Sequence, residues 1–327
     1  MLLRSFRKTV LAVGTMLFIC SASILNAQSP DRPLQDEQVR LMTIPISIFT
    51  EKEVKKGEIE EFVQAGRLSV EEDKDEQEIL SIRSVSNQPM AIAILLQDDL
   101  TSNINLQLDG IKKFIRRLPE NSRVMVAYLR GGSLQVRQSF TRDLDAAAKS
   151  IRVIPGTAAV APRSPFESAR NAFKRFDGLP NGRRAVLFVS DGLDVSQGLQ
   201  SSTPGLNNEL DRAIRSAQRR GVAVYSFYSP ATYTRNGSSR LILNGQSSLQ
   251  KFSDETGGRA FFSGTGAPVS FRPFFQNLDR TLNRQFALTY LSTHMDSGFY
   301  KVKVESSNPE IRIDHPRGYY YRKIKKR

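Results

Sequence analysis

The amino-acid sequence predicts an α/β protein in which a doubly wound, mostly parallel sheet is flanked by an N-terminal and a C-terminal β segment. Three observations lead to this prediction. Short, continuous apolar runs alternate with amphipathic segments of helical period through the middle of the chain. Segments in which apolar and polar residues alternate stand at both ends, and the helical period stops after residue 285. Continuous runs are typical of strands covered on both faces, whereas alternating runs indicate strands with one wet face.

The first 27 residues have the order of a secretory signal. Arg4, Arg7 and Lys8 precede an apolar run over residues 10–25, and Asn26-Ala27-Gln28 follows it. We expect residues 1–27 to be a cleaved signal peptide, residues 28–37 to be a linker, and the protein to be secreted, periplasmic or held in the cell envelope. After cleavage we expect no transmembrane span. An uncleaved signal anchor stays open as the alternative.

The composition excludes thiol chemistry and favours one class of partner. The single cysteine of the sequence is Cys20, inside the signal, so the remaining chain has no thiol for disulfides, zinc–thiolate sites or nucleophilic catalysis. The net charge is +14, and removing the three basic residues of the signal leaves +11, with a basic tail over residues 322–327. Such a charge favours acidic partners. We expect an extracellular or envelope protein or an anionic polymer, and the expected export disfavours nucleic acid.

The N-terminal β segment is predicted over residues 38–88. Residues 39–49, 68–71 and 79–82 alternate in the manner of strands, with an acidic turn over residues 71–77. Three or four antiparallel strands with one apolar face are near the minimum for independent stability. This segment therefore needs a partner sheet.

The α/β domain is predicted over residues 89–285. Its first strand is the apolar run at 91–96, and an amphipathic helix at 104–118 ends at Pro119. The alternation continues through the turn Gly131-Gly132. Further strands are predicted at residues 123–129, 134–140, 185–189, 222–228 and 259–262. Further helices are predicted at residues 144–151, 166–176, 208–220, 249–256 and 271–284. Alternating strands and helices favour a parallel sheet, whose ligands bind beyond the carboxyl ends of the strands.

The C-terminal β segment is predicted over residues 286–327. Strands are expected at 286–291, 300–304, 311–313 and 319–321, with turns at Gly298, Pro309 and Pro316. Our hypothesis is that the two β segments form one β-sandwich into which the α/β domain is inserted, because each half alone exposes an apolar face. Two separate β modules remain the alternative.

Several phrases of the sequence carry a resemblance to a known family. The run Ala185-Val-Leu-Phe-Val-Ser-Asp-Gly192 ends a buried strand in Ser-Asp-Gly, and acidic and hydroxyl residues follow the strand at 91–96. Glu255-Thr-Gly-Gly-Arg-Ala-Phe261 and Gln285-Phe-Ala-Leu-Thr-Tyr290, continuing to Gly318-Tyr319, add to the match. Over nearly all of the chain after the signal, the sequence resembles the von Willebrand factor A-related proteins of acidobacteria.

The resemblance implies a metal-ion-dependent adhesion site made by three loops. In that family an Asp-x-Ser-x-Ser loop, a Thr or Ser on a second loop and an Asp on a third bind a hard divalent cation through oxygen. Carried over to this chain, the first loop would supply Gln97, Asp99 and Thr101, the second Ser164, and the third Asp191. The implied cofactor is Mg²⁺ or Ca²⁺.

The first loop departs from the family pattern, and two registers stay open. A shift of one residue would replace the first set with Asp98, Leu100 and Ser102, which loses one ligand. Thr157 is the rival of Ser164 on the second loop. The site is therefore degenerate, and the competing interpretation is that these acidic residues are turn and helix-cap residues that bind no cation.

The sequence contains no recognisable catalytic constellation. The two histidines, His294 and His315, lack partners at metal-ligand spacing, and neither a nucleophile elbow nor a phosphate-binding loop occurs. We expect a non-catalytic binding or adhesion module that uses the carboxyl-edge loops. The second hypothesis is a structural or scaffold protein with a dead metal site, which binds acidic partners through its basic surface.

Overall fold

The computed structural model describes residues 39–50, 68–156, 164–180, 182–231 and 239–323. The predicted signal and linker, Thr157 and the last four residues of the basic tail lie outside the described residues. The strands are β1 Arg40–Thr50, β2 Leu68–Glu72, β3 Asp75–Gln77, β4 Ile79–Ser84, β5 Met90–Gln97, β6 Arg123–Arg130, β7 Ser133–Thr141, β8 Arg183–Ser190, β9 Val222–Tyr228, β10 Ala260–Phe261, β11 Gln285–Ser292, β12 Gly298–Ser306, β13 Ile311–Asp314 and β14 Gly318–Tyr321. The helices are α1 Leu108–Arg116, α2 Leu144–Lys149, α3 Pro165–Phe173, α4 Asn208–Gln218, α5 Ser239–Thr256 and α6 Arg272–Asn283.

The middle of the chain forms a six-stranded, mostly parallel sheet in the order β10-β9-β8-β5-β6-β7. Every neighbouring pair is parallel except β6 and the edge strand β7, which are antiparallel. Counted from β5, the order is 3-2-1-4-5-6, the doubly wound arrangement. The strand order reverses between β5 and β8. The open crevice of the sheet therefore lies beyond the carboxyl ends of these two strands. The predicted α/β class with a mostly parallel sheet is confirmed.

Helices cover both faces of this sheet. On β5, Ile92, Ile94 and Leu96 are buried with α1 and α6 in one apolar cluster. Ala93 and Leu95 are buried in a second cluster with α3 and α4 on the opposite face. A strand with both faces buried needs a continuous apolar sequence, which explains why this run lacks alternation.

The terminal β segments form two antiparallel sheets, in the orders β13-β1-β11-β4 and β14-β12-β2-β3. Each sheet combines strands from both ends of the chain. In the first sheet, Ile44 of β1 lies opposite Leu288 of β11, and Ile46 opposite Phe286. Buried side chains of both sheets belong to a single apolar cluster. The N-terminal strands therefore pair with C-terminal strands, as their exposed apolar faces required.

Two helix predictions were wrong in extent. The helix expected at residues 249–256 is α5, which begins ten residues earlier at Ser239. Gly245 has low helix propensity, which hid this extension, but in the structure it packs against the loop after β8. The helix expected at residues 104–118 opens as a 3₁₀ turn, Ser102–Gln107, and is α-helical only over Leu108–Arg116. Among the described residues, no helix is long and apolar enough to cross a membrane.

Candidate functional site

The loops that follow β5 and β8 meet at the point where the strand order reverses. Gln97 ends β5, and its Oε1 accepts hydrogen bonds from Ser190 Oγ at 2.5 Å and from the Asp191 backbone N at 3.2 Å. The family pattern has an acidic residue at the position of Gln97. Here a neutral amide ties the two loops together, so its oxygen is already engaged.

A small cavity opens beside this contact. Gln97, Asp99 and Ser164 border it together with the turn Gly131-Gly132, and its volume is about 20 Å³. That volume holds roughly one water molecule or one ion. Burial raises the pKa of Asp99, and a hydrogen bond from the Gln97 side chain opposes this shift. A positive charge in the cavity would therefore favour the ionised carboxylate.

Two hydroxyl groups, one on the loop after β5 and one at the start of α3, are buried without a partner among the described residues. The residues Thr101 and Ser164 are 6% and 1% exposed, and neither Oγ1 of Thr101 nor Oγ of Ser164 has a hydrogen-bond partner among the described residues. Ser164 stands at the N-cap of α3, where a serine normally accepts a backbone N–H, yet its side chain makes no cap hydrogen bond. A buried, unpaired hydroxyl costs free energy unless a ligand pairs with it.

Asp191 lies at the carboxyl end of β8 and is 3% exposed. Its Oδ1 accepts a hydrogen bond from Leu193 N at 3.1 Å, which closes a turn. Gly192 has a φ of +68°, and a Cβ there would meet the backbone of Gly245 in α5. The glycine of the Ser-Asp-Gly sequence is thus required by backbone conformation and by close approach of a helix, while the hydrogen bond from Leu193 orients the Asp191 carboxylate.

The residues of the second register lie apart from this cavity. The carboxylate of Asp98 forms ion pairs with Arg152 at 2.7 Å and with Arg130 at 3.7 Å. The Arg152 guanidinium in turn lies 4.2 Å from the ring centroid of Tyr128. Leu100 is fully buried in the core, and Ser102 is exposed at the start of the 3₁₀ turn. Asp98 is therefore engaged by arginines.

Sequence reasoning missed several residues of this region. Ser190 was visible in the Ser-Asp-Gly motif but was assigned no role, although its hydroxyl donates to Gln97. Arg130 and Arg152 gave no signal, because their contact with Asp98 joins positions far apart in sequence. In the described parts of the chain, no group of three or more His, Cys, Asp or Glu residues could hold a metal ion. A site here would have to combine carboxylates with hydroxyls.

Comparison with known proteins gives loose structural likenesses. No protein-family model and no curated protein sequence matches the chain. An aerotolerance-related membrane protein from Bacteroides fragilis is 15% identical, with a TM-score of 0.39, over 59% of this chain and 98% of that protein. A von Willebrand factor type A protein from Catenulispora acidiphila is 9% identical, with a TM-score of 0.39, over 79% of this chain and 74% of that one.

A third solved structure comes from a bacterial pilus. The three N-terminal domains of the type V pili tip protein Mfa5 from Porphyromonas gingivalis are 8% identical, with a TM-score of 0.41, over 77% of this chain and 56% of that one. At these TM-scores the likeness is too loose to transfer a partner or a site. It also gives no support for the narrower grouping with acidobacterial proteins.

Proposed function

We propose that this chain is a non-catalytic binding or adhesion protein that recognises its partner through the carboxyl-edge loops of the parallel sheet, with a divalent cation in a degenerate site. The observation that carries the proposal is the unpaired, buried hydroxyl of Ser164 on the cavity that Gln97 and Asp99 border. Mg²⁺ and Ca²⁺ take oxygen ligands, and carboxylates, hydroxyls and water are the groups they prefer.

The residues present fit a hard cation in part. Asp99 and Ser164 border the cavity and would supply a carboxylate and a hydroxyl oxygen. Asp191 and Thr101 are not among the residues that line it, so they would reach the cation from the adjoining loops. The oxygen of Gln97 is engaged by Ser190 and Asp191, so this residue would hold the loops in place. A bound cation would supply a Lewis-acidic position for a carboxylate of the partner, which is the family's general mode of recognition.

The partner that we infer is an extracellular protein or an envelope polymer. The signal-like order of residues 1–27 supports export, and the net charge of +11 that remains without those residues (+14 less Arg4, Arg7 and Lys8) supports an acidic partner. Both inferences rest on the sequence alone.

We also infer that the two terminal sheets pack face to face as one β-sandwich. The Glu72 carboxylate of β2 is fully buried and accepts a hydrogen bond from Ser292 of β11 at 2.9 Å, so a polar contact joins the two sheets. Arg40 of β1 pairs with the same carboxylate at 3.2 Å. The shared apolar cluster supports the same arrangement.

Thermal unfolding of residues 28–327 tests the cation site. Added Mg²⁺ or Ca²⁺ should raise the unfolding temperature relative to EDTA, because a ligand that binds only the native state stabilises it by about 2.7 kcal/mol at a hundred times its Kd. Ser164→Ala should remove this rise and leave the stability in EDTA unchanged, since the hydroxyl has no partner among the described residues.

Ser253→Ala is the matched control, on α5 and outside the cavity lining. The buried Ser253 hydroxyl donates to Ser226 Oγ at 2.9 Å, so its loss should lower stability in EDTA but keep the cation-induced rise. If no cation raises the unfolding temperature of the wild-type protein, or if Ser164→Ala keeps the rise, the proposed site is wrong.

A further inference from the structure

A second cavity lies between the parallel sheet and the terminal strands, away from the carboxyl-edge loops. Its volume is about 340 Å³. Residues 42–45 of β1 and residues 318–320 at the start of β14 line one side, and residues 218–222, between α4 and β9, line another. Small-molecule sites occur preferentially where two parts of a protein meet, and this volume is at the lower end of their usual size, about 300–1,000 Å³.

The charge lining this cavity has one sign. Arg184, Arg219 and Arg220 border it, and none of the described residues that line it is Asp or Glu. Arg220 has its own counter-charge outside the cavity, because its guanidinium donates to both carboxylate oxygens of Asp177, at 2.7 and 3.0 Å. Arg184 and Arg219 therefore determine what kind of ligand this cavity can bind.

Arg184 forms no ion pair with any described residue. Its Nη1 donates to the Arg220 carbonyl at 3.0 Å and its Nη2 to the Leu179 and Pro180 carbonyls at 2.8 and 3.3 Å, while its Nε is buried without a partner among the described residues. Burial lowers the pKa of Arg184, because desolvation disfavours the charged form. A nearby anion would offset that cost.

Arg219 presents the accessible end of the cavity. Its guanidinium carbon lies 5.1 Å from the ring centroid of Tyr320, and its Nε donates to the Arg215 carbonyl at 3.2 Å. No described carboxylate pairs with it, and no described residue is hydrogen-bonded to its two Nη groups. Stacking on an aromatic ring holds such a fork in a fixed plane and leaves its outer donors available.

The negative carboxyl end of helix α4 does not neutralise the positive charge of the three arginines. The carboxyl end of a helix carries roughly half a negative charge. Asp177 contributes one more negative charge, against the three positive charges of the arginines. About one and a half positive charges therefore remain uncompensated by the helix end and Asp177.

We propose that this cavity binds a small organic oxyanion, whose carboxylate or phosphate group meets the fork of Arg219 beside the positive charge of Arg184 and whose carbon part lies against Tyr320 and Met42. A guanidinium fork matches both kinds of oxyanion in two parallel hydrogen bonds. The site is independent of the cation proposed for the carboxyl-edge loops, since it lies at the opposite ends of β8 and β9 and uses no carboxylate.

The test uses residues 28–327 in EDTA, with inorganic phosphate and succinate as probes and glycerol as the neutral control, at constant ionic strength. Isothermal titration should show binding of phosphate, succinate or both, and no binding of glycerol. Arg219→Gln should weaken the binding at least about tenfold, because hydrogen bonds to charged groups contribute that much or more. Arg219→Lys keeps the charge but loses the fork, so it should give an intermediate affinity.

Arg137→Gln is the matched control, since Arg137 is exposed on β7 at the far edge of the sheet and its loss removes the same charge. It should leave the affinity unchanged. Equal weakening by Arg137→Gln and Arg219→Gln would show that the probes respond to the general surface field, and no binding of either anion would show that the cavity is not an anion site. Either outcome overturns the proposal. Because the titrations are made in EDTA, a negative result would concern the anion cavity alone and would say nothing about the proposed cation site.

Discussion

Replacing Arg183 by Met should lower the free energy of unfolding by about 3 kcal/mol. Arg183 is buried at the start of β8 and joins the two places where the chain passes between the terminal strands and the parallel sheet. Its Nη1 donates to the carbonyls of Ser86 and Gln88, at 3.1 and 3.0 Å, where the chain enters. Where the chain leaves, its Nη2 donates to the Leu282 carbonyl at 3.0 Å and its Nε to Gln285 Oε1 at 2.7 Å.

The magnitude follows from opposing effects. Each hydrogen bond to a charged group contributes about 1.5–3 kcal/mol, and Met at this position would remove four such bonds. Burial lowers the pKa of Arg183, because desolvation disfavours its charged form, and this desolvation opposes part of the stabilisation from the hydrogen bonds. The adjoining cavity of about 580 Å³ also lets water reach the freed carbonyls. These two effects reduce the loss to about 3 kcal/mol, near the lower end for breaking a buried charged contact.

Urea unfolding at fixed pH measures the effect. Arg123→Met is the matched control at the start of β6, on the same edge of the sheet, and should change stability by no more than about 0.5 kcal/mol. Arg183→Lys keeps the charge but has fewer donors in a different geometry. Its free energy of unfolding should therefore lie between those of Arg183→Met and Arg123→Met. A loss below about 1 kcal/mol for Arg183→Met would refute the reasoning, since the four bonds would then contribute little.

Three further predictions concern the loops beyond β5 and β8. Gly192→Ala should lower the free energy of unfolding by more than about 1 kcal/mol, because its φ is +68° and the added Cβ would meet the backbone of Gly245; unchanged thermal unfolding would contradict this. Thr101→Val should unfold in EDTA at the same or a higher temperature, since it replaces a buried hydroxyl that has no partner among the described residues, and should lose the rise caused by Mg²⁺ or Ca²⁺; marked destabilisation in EDTA would show that the hydroxyl is paired. Burial raises the pKa of Asp99 above 3.8, so the native state binds this proton more tightly than the unfolded state. Its contribution to stability in EDTA should therefore be present below pH 3.8 and be lost as the pH rises through the raised pKa, and Asp99→Asn should remove this slope in urea unfolding measured across the acidic range.

Regular features of the fold could be predicted because local sequence and burial agree there. The uninterrupted apolar run of β5 requires two covered faces, and both faces are covered. The extent of α5 could not be predicted, because Gly245 is unfavourable in an isolated helix. Its place is decided by the close approach of the loop at Gly192, a contact between positions far apart in sequence.

Some features of the candidate site could likewise be predicted from the sequence, and others could not. The family resemblance placed Gln97, Asp99 and Ser164 among the candidates, and the structure places all three on one small cavity. Spacing alone could not choose between the two registers of the first loop. In the structure Asp98 turns to Arg152, while Asp99 faces the small cavity.

By itself, the sequence determined the class of fold, the absence of a thiol after residue 20, and the strong positive charge. These are properties of composition and of apolar period, which hold wherever the segments finally lie. Only the tertiary structure decided which N-terminal strand pairs with which C-terminal strand, which charges are paired and which hydroxyls stay unpaired. Those features depend on contacts between residues distant in sequence, as when Arg183 joins residues 86 and 282, and such contacts leave no local pattern.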